Sequence, residues 1–245
     1  MRAVVVILFL GLPAGPAVAD CVVLLHGLAR SSASLVVMEL SLEQAGYRTV
    51  NRSYPSTDAT VGRLALAAIP EALAACGTER PVHFVTHSMG GLLARAYLQD
   101  REIAGLGRIV MLAPPNQGSA LTDEMRDWPV IADLHGPAFD QLGTGPGSLP
   151  NRLAPVTAAE IGVIAGSVSL NPVLSEMIPG ADDGKVSVAS TRLEGMDDHI
   201  VLSVSHTFMM NNPLVIAQVL TFLETGRFEH GLTLGEVIQR QFTGR

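Results

Sequence analysis

The stretch "VHFVTHSMGGLLARAYLQ", residues 82–99, sets a short apolar run directly against a helical pattern. Val82 to Thr86 read as a buried strand, and Met89 onward reads as a helix. Only His87 and Ser88 lie between them. So abrupt a strand-to-helix reversal forces its central residue into a strained backbone conformation and lifts that side chain above the sheet edge. Crowding then favours small residues two positions to either side. Gly90 meets this on the helix side and Gly91 gives further room, whereas the strand side carries Thr86. The pattern is therefore T-H-S-M-G and departs from strict G-x-S-x-G. Taken alone, the turn also fits an ordinary helix start with Ser88 as its N-cap.

The rest of the chain repeats this alternation. "CVVLLHG", "YRTVNRSYP", "RIVMLA", "IGVIAG" and "HIVLSV" read as strands. "SASLVVMELSLEQAG", "DATVGRLALAAIPEALAACG" and "PLVIAQVLTFLETG" read as helices, the second bent near Pro70. Short, wholly apolar strands separated by helices predict a mostly parallel sheet with helices on both faces, a single α/β domain over residues 20–245. The segment 114–155 breaks the rhythm. It is rich in Gly and Pro and holds the only tryptophan, Trp128. Its apolar residues Trp128, Ile131, Leu134 and Phe139 predict a lid-like segment over a site, or a loop packed down by them.

Composition narrows the function classes. The chain has 245 residues, 48% of them hydrophobic and 16% charged, enough for a sizeable aliphatic core. A net charge of −7 with no basic run argues against nucleic acid as a partner. Lys185 is the sole lysine beside scattered arginines, which composition alone ties to no function. Residues 1–19, "MRAVVVILFLGLPAGPAVA", combine one charge, an apolar run and Ala17-Val18-Ala19, the layout of a secretory signal cleaved after Ala19. The run falls short of the roughly 20 apolar residues of a membrane span. A buried first strand is the competing reading. Export predicts a periplasmic or secreted protein, in which Cys21 and Cys76 can pair. Each cysteine precedes a strand, so parallel neighbours would bring them to one sheet edge; two free thiols are the alternative.

A serine hydroxyl is a weak nucleophile and needs a base, held in turn by an acid. In a parallel sheet the chemistry lies beyond the carboxyl ends of the strands. His83 lies inside a strand, and His199 opens one, about 20 Å from that end. His230 follows the final helix. His206 comes just past "HIVLSV", at the productive end. "GADDGKVSV" offers the acid, with Asp182 competing against Asp183, and an ordinary D-G turn as the plainer reading. The N–H of Met89, at a helix start, points where an oxyanion would form. Gly27 lets the first strand's loop approach, so the N–H of Leu28 can join it, with His26 bracing that loop. The histidines show no paired metal spacing, and neither a metal nor an organic cofactor is expected.

"VVLLHGLARSSASL", "VHFVTHSMGGLLARAYL", "LAPPNQGS", "DDGKVSV" and "VSHTFMM" together resemble the α/β-hydrolase superfamily, in its bacterial secreted lipase and esterase branch. The likeness runs from about Cys21 to Arg227. It implies the α/β-hydrolase fold, with Ser88 as nucleophile, Asp183 as acid, His206 as base, and Leu28 and Met89 as oxyanion-hole donors. "PPNQGS" carries Asn116 where many lipases have histidine. The resemblance leads to hydrolysis of a lipid or other apolar acyl ester, with transient contact with a lipid surface. The same residues also fit an acyltransferase, or a secreted binding protein that keeps the fold without the chemistry.

Overall fold

The computed structural model describes residues 19–128 and 136–243. Residues 1–18 of the expected signal therefore lie outside the described residues, as do Ile131 and Leu134 of the lid-like segment. The strands are β1 (Cys21–Leu25), β2 (Arg48–Asn51), β3 (Val82–His87), β4 (Leu106–Leu112), β5 (Ile161–Gly166) and β6 (Asp198–Leu202). They form a six-stranded sheet in the order β2-β1-β3-β4-β5-β6. Every pairing is parallel. This is the parallel sheet that the alternation predicts, with helices on both faces.

The two-residue period of a strand sorts the apolar side chains onto two faces. Cys21, Val23 and Leu25 of β1 join Val82 and Phe84 of β3 and Ile109 and Met111 of β4 in one core cluster. Val22, Leu24, Val85, Val110 and Leu112 point into the other. Two helices, α1 (Val36–Gln44) and α2 (Val61–Cys76), take opposite sides: Met38 and Leu42 of α1 fill the second cluster, and Leu64, Ile69 and Ala72 of α2 the first. Helix α3 (Met89–Leu98) packs beside α2 through Leu92 and Leu93. Strands β1, β3 and β5 are buried along their whole length, which is why β1 and β5 read as continuous apolar runs rather than alternating ones. Edge strand β2 is more exposed and carries Arg48, which discourages pairing with a further strand.

The segment 114–155 is more structured than its composition suggests. It contains α4 (Ala120–Met125), a 3-10 turn at Phe139–Gln141 and α5 (Leu149–Arg152). Ser119 caps α4, and the Gln141 side chain accepts the N–H of Val61, capping α2 across the fold (2.8 Å). Beyond β5 come a short α6 (Pro172–Ser175), then α7 (Pro213–Thr225) and α8 (Leu234–Thr243). Asn212 caps α7 on Leu214, Pro213 opens it and Gly226, at φ 77°, ends it. Helix α2 runs on through Pro70, which sits on its exposed side, where water can satisfy the carbonyl that loses its donor. No helix among the described residues is long and apolar enough to cross a membrane.

Cys21 and Cys76 form a disulfide, with Cα atoms 5.8 Å apart. It ties the first residue of β1 to the last of α2, and both cysteines are fully buried. The bridge closes a separation of 55 residues. A cross-link over such a loop removes chain entropy from the unfolded state worth about 4 kcal/mol. The double substitution Cys21→Ala/Cys76→Ala is therefore expected to lower unfolding free energy by about 2–5 kcal/mol in urea titrations, with little change in the native circular dichroism spectrum. A loss under about 1 kcal/mol would show that the bridge constrains the unfolded chain far less than its loop length implies.

Candidate active site

Among the described residues, three non-glycine residues have positive φ: Ala29 (52°), Ser88 (54°) and Ala113 (45°). All three lie just beyond the carboxyl ends of strands, after β1, β3 and β4 respectively. Such strain costs on the order of 1–3 kcal/mol per residue and collects where a site must be built. Ser88 follows β3 directly, and its N–H continues the ladder by donating to Leu112 O (2.8 Å). Helix α3 begins at the next residue. The turn is sharp because α3 starts almost in contact with β1. A Cβ on Gly90 would overlap the carbonyl oxygens of Leu25 and His26. One on Gly91 would press on Pro114 and on Thr86 Oγ1 (3.1 and 3.3 Å). Thr86 is fully buried, and its hydroxyl has no hydrogen-bond partner among the described residues. The larger residue on the strand side is thus accommodated without loss of the turn, at the cost of an unsatisfied polar atom.

His206 lies in the loop after β6, 3% exposed. Its Nδ1–H donates to Asp183 Oδ2 (2.8 Å), and its backbone N–H donates to Asp183 O (3.0 Å). That tautomer leaves Nε2 as an acceptor. Asp183 Oδ1 accepts the N–H groups of Lys185 (3.0 Å) and Val186 (2.8 Å), so the carboxylate is fully engaged although 2% exposed. Gly166, at the end of β5, lets this loop come close, since a Cβ there would meet Asp183 Cβ (2.8 Å) and Val204 O. Asp182 faces elsewhere. It accepts the Ser175 hydroxyl and the Gly184 N–H (2.7 Å) and holds the turn itself. Of the two aspartates, then, Asp183 alone contacts the imidazole.

Ser88 and His206 line one cavity of about 320 Å³. Leu28 lines it too, whereas the Met89 side chain is buried in the core and only its backbone can face the site. Neither the Leu28 nor the Met89 N–H donates to an acceptor among the described residues. Leu121, Met125, Phe139 and Leu142 supply apolar wall from the segment 114–155. Of the four lid residues expected from sequence, Phe139 lines the cavity and Trp128, 38% exposed, does not. Among the described residues, no group of three or more His, Cys, Asp or Glu side chains is placed as metal ligands would be.

The other described histidines have structural tasks. His26 stacks on Tyr54 with ring centres 3.9 Å apart, donates from Nδ1 to Gly27 O (2.9 Å) and accepts the Tyr54 N–H at Nε2 (3.2 Å). Tyr54 in turn donates its hydroxyl to His26 O, bracing the loop that carries Leu28. His83 accepts the Arg108 N–H (2.8 Å), His199 bonds Thr191 (3.0 Å) and His230 pairs with Asp198 (2.8 Å). His87, next to Ser88, donates from Nε2 to His206 O (3.0 Å), and the two rings lie 4.8 Å apart. Burial first, and the nearby His206 second, hold its pKa well below 6.5. His26 and His83 are also lowered, chiefly by burial.

Arg95 is a site residue that sequence reading missed. It is 2% exposed on α3 and donates to Asn116 O (3.0 Å), Asn116 Oδ1 (3.2 Å), Pro150 O (3.2 Å) and Leu153 O (2.9 Å). Asn116 also donates to Thr191 O (2.9 Å). The asparagine that replaces the usual lipase histidine thus joins α3 to the loop after β4 and to the loop beyond Asp183. Burial pushes Arg95 down to about 10, so it stays charged at neutral pH, held by oxygens rather than by a carboxylate. Its one visible signal was a lone charge inside "GGLLARAYL".

Residues 22–170 match the sequence model of the alpha/beta hydrolase family. No curated protein matches the chain in sequence. Among solved structures, the chain is similar to the mature form of the lipase BlEst2 of Bacillus licheniformis. That pair is 21% identical, with a TM-score of 0.69, covering 86% of this chain and 94% of the lipase. The metagenomic carboxyl esterase MGS0156 is 18% identical with a TM-score of 0.60, covering 96% of this chain and 80% of its own. Lipase B of Aspergillus fumigatus is 16% identical with a TM-score of 0.63, covering 89% and 56%. At these identities the likeness is one of fold.

Two outcomes test this account of the site. Gly90→Ala is expected to destabilise the fold by more than about 2 kcal/mol, as overpacking against backbone does. The control Gly62→Ala, in open space on α2, should be neutral or stabilising by up to about 1 kcal/mol; thermal unfolding of both checks it. His87 is neutral in the native state but titrates near 6.5 when unfolded, so the unfolded chain binds the extra proton. Its contribution to stability is complete above pH 6.5 and is lost as pH falls below that toward the depressed native value. The slope reaches about 1.4 kcal/mol per pH unit for one such group. Urea midpoints between pH 5 and 7 should show a smaller slope for His87→Gln; an unchanged slope would contradict the assignment.

Proposed function

The chain belongs to the alpha/beta hydrolase family, and on that premise we propose that it hydrolyses carboxylic esters of apolar acyl groups, with Ser88 as nucleophile, His206 as base and Asp183 as acid. One observation carries the reading. The imidazole of His206, fixed by Asp183 at 2.8 Å, shares a cavity with a serine held at φ 54°. Strain of that kind is retained only where the surrounding structure demands it. The apolar wall of the cavity and the fold shared with lipases and an esterase support an ester with an apolar acyl group.

The mechanism follows from the groups in place. Ser88 Oγ attacks the ester carbonyl while His206 Nε2 takes its proton. The Leu28 and Met89 N–H groups hold the tetrahedral oxyanion, and the amino end of α3 adds its dipole. Asp183 keeps the imidazole in the required tautomer and stabilises it once charged. The intermediate collapses to an acyl-serine as His206 returns the proton to the leaving alcohol. Water then gives a proton to His206 and its oxygen to the acyl group. The second tetrahedral intermediate releases the carboxylic acid and regenerates Ser88. No step requires a metal or an organic cofactor. Export through residues 1–19 belongs to the same reading, and the disulfide supports it, since such bonds persist in oxidising compartments.

A fluorophosphonate probe should label the wild-type protein and leave Ser88→Ala unlabelled. Turnover of p-nitrophenyl butyrate should fall by about four to six orders of magnitude in Ser88→Ala. Asp183→Asn should lose about 10⁴ in kcat, and Asp182→Asn far less. Near-wild-type activity of Ser88→Ala would end the hydrolase reading. Equal losses in the two aspartate variants would end the choice of acid. An added acceptor alcohol that diverts most of the acyl group would make the protein an acyltransferase.

A further inference from the structure

The chain is acidic, with 23 Asp and Glu against 16 Lys and Arg, yet among the described residues the cavity at Ser88 is lined by Arg30 and Lys185 and by no acid. Arg30 follows Leu28 by two residues, and Lys185 follows Asp183 by two. Some other arginines among the described residues are ion-paired at the surface. Arg48 pairs with Glu79, Arg108 with Glu160 and Arg240 with Glu229. Among the described residues, neither the Arg30 guanidinium nor the Lys185 ammonium has an ion-pair or side-chain hydrogen-bond partner. The acid within electrostatic reach of Lys185 is Asp183, already committed to His206 and two backbone N–H groups.

These two charges also feel each other. Lys185 is exposed at the cavity wall, and the partial burial of its ammonium and then Arg30 lower its pKa. Both charges reach His87, the neighbour of Ser88. Lys185 is planted rather than free to swing away at its root. Its N–H donates to Asp183 Oδ1 (3.0 Å), and its carbonyl accepts the Ser119 hydroxyl (2.8 Å). Like charges held together at the wall of an apolar cavity cost free energy until an anion lies between them.

We propose that Arg30 and Lys185 form an anion subsite of the ester cavity, so that the preferred substrate is an apolar ester bearing a phosphate or carboxylate near the scissile bond. The proposal rests on the hydrolase reading of Ser88 and narrows its substrate class. The apolar walls at Leu121, Met125, Phe139 and Leu142 take the chain, and the two cations take the charged group. A neutral ester fills the first part and leaves both cations unpaired.

Because Lys185 is the sole lysine, reductive methylation followed by mass mapping reads the subsite without catalysis. Octyl phosphate, kept below its micellar concentration, should slow methylation of Lys185 several-fold. Octanol should not, and Arg30→Gln should weaken the protection. Equal effects of phosphate and alcohol, or no protection, overturn the subsite. Kinetics supply the second arm. The kcat/KM of mono-p-nitrophenyl glutarate is compared with that of p-nitrophenyl butyrate, and that of 4-(butyryloxy)phenyl phosphate with that of phenyl butyrate. An anionic ester should be preferred by about tenfold, the scale of one charge-assisted hydrogen bond. Whichever anionic ester shows it identifies the acyl or the alcohol side as the charged one. The preference should fall to near unity in Arg30→Gln/Lys185→Gln. A ratio at or below one for both pairs in active enzyme overturns the subsite and leaves the hydrolase standing. Absence of Ser88-dependent turnover overturns the hydrolase, and the methylation result then decides the subsite alone.

Discussion

The near-contact between the start of helix α3 and the carboxyl end of strand β1 governs the molecule. No side chain fits between Gly90 and the Leu25 carbonyl, so the chain must reverse within one residue of β3. That reversal puts Ser88 at φ 54° and opens a helix amino end beside it. A strained residue of this kind persists only when packing on both sides over-determines it. Here β1, β3 and β4 supply that packing through a core with Phe84, Ile109 and Leu92 fully or almost fully buried. Each such side chain contributes on the order of 1.5–3 kcal/mol, enough in sum to hold a conformation that costs a similar amount locally.

The second part of the site is built by hydrogen bonds more than by packing. Asp183 is nearly inaccessible, and a carboxylate there would be prohibitively costly if unpaired. Two backbone N–H groups and the imidazole of His206 satisfy it. The same turn spends Asp182 on its own closure, through Ser175 and Gly184. Arg95 and Asn116 extend the scheme outward. They link α3, the loop after β4 and the residues around Thr191, so the segment beyond β4 and the acid loop share one brace. Asn116, where the lipase-like loop motif carries histidine, thus holds these loops together in this chain.

The cavity at Ser88 joins surfaces of opposite character. Its apolar wall comes largely from the segment between β4 and β5, and its positive charge from the loops after β1 and before β6. The Gly- and Pro-rich composition of 114–155 suggested an irregular lid; in the fold, its residues cap α2 and line the cavity as well. Short helices such as α4 escape a periodicity test because one or two turns hold too few residues to define a period.

Read alone, the chain determined the parallel sheet, because buried strands need unbroken apolar runs and helices need their own period. It made a serine turn legible through the two glycines after Ser88, and it left Cys21 and Cys76 open between a bridge and two free thiols, which the structure resolves as a disulfide. The resemblance favours Asp183 with Asp182 competing, and only the tertiary structure shows which of them contacts His206. The two carboxylates are adjacent in the chain, and only the direction each takes in the turn separates them. Arg95, Asn116 and the cations Arg30 and Lys185 were likewise beyond sequence reading. Their meaning lies in what surrounds them: carbonyl oxygens converge on one buried arginine, while among the described residues no carboxylate forms an ion pair with the two at the cavity. Such neighbourhoods join residues far apart along the chain, so they come into being only when the sheet and its loops close.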